Sequence, residues 1–284
     1  MTRRHAVLLL GMSPCAWAGP PKSLDPIVGN MPGAALLIDV RKRALLAVHG
    51  ADLAGELLVP PGSAIKPFTL EALLQSGKLK ENETFPCPGA LTIEGRAFNC
   101  SHPPIATPVD ARTALAYSCN CFVAHFAERF APGELAAHLV RCGLGSRTEW
   151  LGDGEAAGRI DAARDRQSQQ LQAIGEGSIL VTAAGMAAAY RRLALSSPAA
   201  IRSGLGGAVE FGTAQQAHAT GITVAGKTGS VRAPDGAMYA WFCGYSPREA
   251  PSAVVAVMLA GRSGGADAAP IAARILEAHF AGRV

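Results

Sequence analysis

Apolar positions follow two rhythms along this chain. Near both ends they form short runs of strand length, and in the middle they recur at helical spacing. Ala34–Val40 and Ala44–Val48 are apolar runs around the basic stretch Arg41-Lys42-Arg43, which is a hairpin pattern. The turn Pro60-Pro61-Gly62 precedes a helix from Ser63 to about Ser76, with apolar Ile65, Phe68, Leu70, Leu73 and Leu74 and a stop at Gly77. Residues 78–108 have hairpins and prolines but little periodicity. Asp110 has the character of an N-cap for a long helix, Ala111 to Phe130, and a further helix covers 132–143. Residues 150–170 are polar and irregular, and Thr182 begins a helix through Ala194. Strands return near 222–226, 237–244 and 252–260, and Ile271–Phe280 reads as a terminal helix. Strands at both ends with helices between predict an α/β (α+β) protein, with one sheet made from the two termini and a helical middle.

Composition adds little to this picture, but the first residues change it. Apolar residues are 49% of the chain and charged ones 17%, so a sizeable core is easily filled. The 284 residues suit one large or two small domains. Arg3 and Arg4 supply two units of the net charge of +4, and no basic run with interleaved aromatics follows, so no nucleic acid partner is expected. Those arginines, the apolar Ala6–Met12 and the small residues of Ala16-Trp17-Ala18 form an export signal cleaved after Ala18. The alternatives are a buried N-terminal segment or a lipidated Cys15, though Pro14 before the Cys makes a poor lipidation signal. The organisation expected is a signal over 1–18, a loose Pro/Gly-rich lead-in over 19–33 and a domain over 34–284. The chain is therefore expected to be exported, to the periplasm or cell envelope.

An oxidising compartment makes the cysteines matter. Six of the seven survive cleavage. Cys87 and Cys100 flank a hairpin-like excursion and are the disulfide candidates, while Cys119, Cys121, Cys142 and Cys243 have no assignment. Cys119, Cys121 and His125 invite a metal reading. On a helix, however, positions two apart do not share a face, so core packing is the expectation. Neither a metal nor another cofactor is expected.

The candidate chemistry sits in three motifs: Ser63-Ala64-Ile65-Lys66, Ser118-Cys119-Asn120 and Lys227-Thr228-Gly229. Each is common by chance, and the order and context carry the weight. A serine hydroxyl needs a base, and on a helix Ser63 and Lys66 share a face. Lys66 becomes a base when burial and a second cation, Lys227, favour its neutral form. Ser118 would relay a proton between Lys66 and the leaving group, and Asn120 would bond Lys66 and the substrate amide. Lys227 and Thr228 would hold an anionic group, Gly229 would let substrate approach the backbone, and the Ser230 N–H would complete an oxyanion site with the helix start. For each motif alone, the plainer reading is a capping serine with a solvated lysine, a polar trio satisfying a core, or an exposed strand end.

Together the three motifs resemble the penicillin-binding transpeptidase family of the serine β-lactamase-like superfamily. The resemblance extends over Ala34–Val48, Pro61–Lys80, Ala114–Phe130, Ala173–Tyr190, Phe211–Ala214, Val224–Ser230 and Trp241–Pro247. It implies the β-lactamase/transpeptidase-like fold, an antiparallel sheet from both termini flanked by helices, with a mainly helical subdomain. It implies a Ser63 acyl-enzyme formed on D-alanyl-D-alanine ends of peptidoglycan stem peptides. The acyl group would pass to an amine (transpeptidation) or to water (carboxypeptidation), and β-lactams would be covalent inhibitors. The chain reads as a free-standing transpeptidase domain, so any glycan-polymerising partner would be a separate envelope protein. Two alternatives stand beside this. A class D-like serine β-lactamase shares the size and the Trp241-Phe242-Cys243-Gly244 pattern, but that class has an apolar residue where Asn120 stands. A β-lactam sensor would acylate without turnover.

Overall fold

The computed structural model describes residues 20–284, so the segment read as an export signal lies outside the described residues. The described chain opens with a two-residue strand, Lys22–Ser23 (β1), one helical turn, Asp25–Val28 (α1), and the expected hairpin, Gly33–Asp39 (β2) and Leu45–His49 (β3). Ala51–Glu56 (α2) leads to a 3₁₀ turn at Gly62–Ile65 that continues as Lys66–Gln75 (α3). A long excursion then holds one small hairpin, Thr92–Ile93 (β4) with Arg96–Ala97 (β5). Helices Ala111–Ala116 (α4), Asn120–Ala127 (α5) and Glu134–Arg141 (α6) follow. Arg159–Ile160 (β6), Arg166–Ile174 (α7), Ile179–Leu180 (β7), Ala183–Leu195 (α8) and Ala199–Glu210 (α9) complete the middle. The sheet resumes with Ala225–Arg232 (β8), Met238–Ser246 (β9) and Ala253–Ala260 (β10), and Ala269–Phe280 (α10) closes the fold.

The main sheet has the order β1-β3-β2-β10-β9-β8. It is antiparallel except where β1 runs parallel to β3. The two ends of the described chain thus meet at the β2–β10 pair. Strand β10 reads as a continuous apolar run because both of its faces are covered, and alternation divides it between two cores. Val254, Ala256 and Met258 face one core with Tyr190 and Leu193 of α8. Ala253, Val255, Val257 and Leu259 face the other with Ile271, Ile275 and Leu276 of α10. The helices α3 to α7 gather on the first side, where Phe68, Phe122, Phe126, Leu139 and Leu171 are buried together.

Two expectations change, and one helix appears where none was read. The lead-in is docked rather than loose over its described part: Leu24 donates to Val48 O at 2.9 Å, Leu24 and Val28 are buried in the second core, and His49 Nδ1 meets Asp25 Oδ1 at 2.5 Å. Helix α7 stands in the stretch read as irregular. It is polar, but Asp165 and Ser168 form a reciprocal capping box that starts it. Helix α9 was hidden by its glycines. One of them, Gly204, brings it so close to α4 that an added Cβ would lie 2.7 Å from Leu115 Cβ.

The docked lead-in gives a direct test. Leu24→Ala should destabilise the protein by about 2–5 kcal/mol, the range for a fully buried leucine, in equilibrium urea unfolding. A loss below about 0.5 kcal/mol, the scale of surface substitutions, would mean the segment is loose.

Candidate active site

The Ser63 turn is built from backbone contacts. Ser63 lies in the 3₁₀ turn, one turn earlier than the regular helix, and Lys66 begins α3. Gly62 has φ +51 and donates to Gly175 O at 3.0 Å, while Gly175 has φ +87. A Cβ on Gly175 would lie 2.8 Å from Gly62 Cα, so only glycine fits there. Tyr190 Oη donates to Ala64 O at 2.7 Å, and Trp241 Nε1 donates to Pro60 O at 3.0 Å. Strand β8 closes on the same turn, where a Cβ on Gly229 would lie 2.6 Å from Pro61 O. Gly229 therefore lets β8 approach this turn, and it also lines the cavity described below.

Lys66 is 0% exposed, and its ammonium needs acceptors inside the protein. It donates to Ser118 O at 2.7 Å, Ser118 Oγ at 3.3 Å and Asn120 Oδ1 at 2.5 Å. This explains why the helix expected over Ala111 to Phe130 is broken. Ser118 takes the left-handed conformation, φ +57, which costs about 1–2 kcal/mol for a residue with a side chain. The break frees the Ser118 carbonyl from any helix ladder and turns it to Lys66. Cys119 then caps α5, its Sγ accepting from Phe122 N, and Asn120 is the first residue of that helix. Asn120 Nδ2 donates to Phe98 O at 2.9 Å, tying the motif to the excursion. Ser63 Oγ is not among the hydrogen-bond partners of Lys66 in this structure.

Burial lowers Lys66 to about 8, with negative charge at the neighbouring cysteines opposing the shift. Lys227 is also 0% exposed rather than a surface lysine. Burial holds it well below an ordinary lysine, and the Lys66 ammonium adds to the effect. Its Nζ donates to Thr228 O at 3.0 Å. The third motif lies inside β8, not at a strand end, and β8 is an edge of the sheet. Thr228 Oγ1 meets Thr213 Oγ1 at 2.9 Å, and Ser230 Oγ accepts from Gly264 N at 3.0 Å.

A cavity of about 400 Å³ brings Ser63, Ser118, Asn120, Thr228, Gly229 and Ser230 together. Thr213, Ser101 and Ser263 also line it, and the motif reading missed them. Thr213 was legible only as part of Phe211–Ala214; Ser101 and Ser263 carry no local signal. A second cleft, of about 340 Å³ beside Glu128 and Arg166, is lined by no serine, threonine or cysteine.

The cysteines depart from expectation. Cys87 and Cys100 stand 3.7 Å apart as free thiols, not as the expected disulfide. Cys119 joins them, 3.4 Å from Cys87, and Cys121 lies 3.6 Å from Cys100. Cys119 and Cys121 approach one group because Cys119 precedes the helix instead of lying in it. Cys87, Cys100, His102 and Cys119 have the spacing of a metal-ligand set, where none was expected. His125 is elsewhere, stacked on Phe85 at 4.2 Å. A second set, Glu71, His138 and Cys142, is buried, but Glu71 there is ion-paired with Arg192.

The sheet of both termini, the helical subdomain and the serine-lysine cleft define a β-lactamase/transpeptidase-like domain. The chain belongs to the penicillin-binding protein transpeptidase family: the Penicillin binding protein transpeptidase domain matches residues 33–277. It is 29% identical over 233 residues to the probable peptidoglycan D,D-transpeptidase PbpC of Pseudomonas aeruginosa, covering 70% of this chain and 41% of that one. It is 25% identical over 289 residues to the probable peptidoglycan D,D-transpeptidase PenA of Neisseria flavescens, covering 85% of this chain and 66% of that one. It thus spans less than two thirds of each relative. Among solved structures, Pseudomonas aeruginosa PBP2 in complex with WCK 5153 has the same fold, with a TM-score of 0.79 at 20% identity over 90% of this chain and 75% of that one. A peptidoglycan glycosyltransferase from Burkholderia ambifaria gives 0.78 at 24% identity, covering 88% and 89%.

The clamp on the Ser63 turn is testable. Gly175→Ala combines a left-handed alanine with overlap on Gly62, which together cost about 2–5 kcal/mol. Urea unfolding should show that loss. A change under about 0.5 kcal/mol would mean Gly175 does not hold the turn.

Proposed function

We propose that this protein is a peptidoglycan D,D-transpeptidase that works through a Ser63 acyl-enzyme. The observation that carries the reading is the buried Lys66 ammonium, lowered to about 8 and held by Ser118 and Asn120 at the cleft that Ser63 lines. At neutral pH a useful fraction of Lys66 is an uncharged amine, which is what a base for a serine hydroxyl requires. Ser63 Oγ gives its proton to Lys66 Nζ as the oxygen bonds the carbonyl carbon of the penultimate D-alanine. The oxyanion forms near the Ser63 and Ser230 N–H groups. The C–N bond then breaks, and the Lys66 proton passes through Ser118 Oγ to the departing D-alanine nitrogen. An acceptor amine attacks the ester carbonyl and regenerates Ser63 Oγ–H. Thr228 Oγ1 bonds the substrate carboxylate, and Lys227, buried beside it in β8, attracts that carboxylate in its protonated form.

The names of the relatives and a cell-wall substrate support an envelope-side activity, which an export signal at 1–18 would deliver there. Among the described residues no helix is long and apolar enough to cross a membrane. Water as acceptor gives the carboxypeptidase form of the same chemistry. The β-lactamase reading is disfavoured by Asn120, whose amide sits on Lys66 where that class keeps an apolar sleeve.

Fluorescent penicillin labelling tests the assignment. Mass spectrometry should place the adduct on a peptide containing Ser63, Lys66→Ala should lower the labelling rate by at least about 100-fold, and the label should persist. Full labelling of Ser63→Ala would sink the nucleophile, and rapid label loss would favour a β-lactamase.

The pH dependence follows from Lys66. Burial lowers its value, so the neutral base grows as pH rises through about 8. The acylation rate should climb about tenfold per pH unit well below that value and level above it. A flat profile between about pH 6 and 9 would remove Lys66 as the base.

A further inference from the structure

The excursion between α3 and α4 has little regular structure. Its regular structure is the two-residue pairing of β4 and β5, and its ends meet in the bridge between Phe85 and Val109. Yet it ties directly to the second motif, through Phe98 O and Asn120. Ile93 is buried in the first core and Arg96 pairs with Glu176, and the sulfur cluster lies where excursion and motif meet.

The Sγ atoms of Cys87, Cys100 and Cys119 form a near-equilateral triangle with sides of 3.7, 3.7 and 3.4 Å. A disulfide would bring two of them to about 2.05 Å. Three thiolates around one tetrahedral ion, each at about 2.3 Å from it, stand about 3.8 Å apart. His102 Nε2 lies 3.7 Å from Cys87 Sγ, and all four ligand atoms are within 4.8 Å of one another. His102 Nδ1 meets Pro103 O at 2.8 Å. A carbonyl only accepts, so Nδ1 carries the proton and Nε2 presents its lone pair to the sulfurs. This is the outer hydrogen bond by which a ligating histidine is oriented. Cys121 is the spare: its Sγ faces Ala90 O at 3.5 Å as well as Cys100. Cys87, Cys100 and His102 are half-buried, which leaves a path for an ion to enter.

We propose that Cys87, Cys100, His102 and Cys119 bind a structural zinc ion that staples the excursion to the Ser118-Cys119-Asn120 motif. Thiolate and imidazole ligands select a borderline-soft divalent ion, and four protein ligands close its tetrahedral shell. Binding is acid-base chemistry only. Each ligating thiol gives its proton to solvent, and no electron moves. Cys119 is a positioning residue: fixed by the ion, it holds the left-handed Ser118 on one side and the start of α5 on the other. The inference stands on the cluster and does not depend on the reaction proposed above.

The test uses the whole protein, purified without chelator and analysed for bound metal by mass spectrometry. About one zinc per chain is expected. Cys100→Ser and His102→Ala should each lower zinc affinity by about tenfold or more in competition with a colorimetric chelator, while Cys142→Ser, outside the cluster, keeps it. Should a ligand variant fail to fold, replacement of zinc by Co²⁺ in the wild-type protein gives a second reading. Thiolate-to-cobalt charge transfer and intense tetrahedral visible bands are expected. Metal removal should also lower Tm and speed proteolysis within residues 87–108. Less than about one zinc per ten chains together with no cobalt–thiolate spectrum, a Cys87–Cys100 disulfide in non-reducing peptide maps, or retention of metal by Cys100→Ser would overturn the proposal. Loss of metal in Cys121→Ser with retention in His102→Ala would overturn the assigned ligand set.

Discussion

A lysine ammonium buried without a carboxylate partner is the constraint around which this structure is arranged. Desolvating that charge is costly unless oxygen acceptors replace water. For Lys66 those acceptors are one carbonyl, one hydroxyl and one side-chain amide, and two of the three come from Ser118. Supplying them requires a break in what would otherwise be one continuous helix. The left-handed Ser118, the cap by Cys119 and the tie from Asn120 to Phe98 are all consequences of that requirement. A protein with a solvated lysine here would have no reason to break the helix.

The second dependence is on the sheet. Strand β8 brings a second buried lysine beside Thr228, and β9 sends Trp241 across to the Ser63 turn. Helix α8 reaches the turn from the other side through Tyr190. Three elements distant in sequence thus meet on four residues of backbone, Pro60 to Ser63 and the adjoining Ala64. The two-core sheet sets their relative positions, because β10 is buried on both faces and cannot slip without exposing one set of its alternating side chains.

The candidate site was readable in the chain because the residues of the three spaced motifs converge around one cavity. A Ser three residues before a Lys at a turn, and a Lys-Thr-Gly in a strand context, carry the same meaning before and after folding. The strands of both termini and the helices α3 and α8 were readable by periodicity. What escaped depended on partners far away in sequence. The apolar pattern runs unbroken from Ala111 to Phe130, since both α4 and α5 face one core, so nothing local marks the break at Ser118. Helix α9 drew no reading because Gly204, Gly206 and Gly207, which serve close packing against α4 and its surroundings, weaken the helical pattern. The same holds for β8, where Gly226 and Gly229 weaken strand propensity but admit Phe242 and the Ser63 turn. The cysteines misled for a third reason: a pair flanking a hairpin suggested a bond, whereas their neighbours in space include two more sulfurs from the break.

The glycine contacts bear on how this protein can change over generations. Gly62 against Gly175, Gly229 against Pro61, and Gly264 against Gly229 place backbone directly on backbone. No side chain lies between these segments, so no substitution can adjust their spacing by a small step. Replacement at any of them is all or nothing, and drift there is closed. Stepwise change is open instead at positions such as Ser101, Thr213 and Ser263, which line the cavity with side chains. The floor of the site is inherited whole, and its walls are where variation can accumulate.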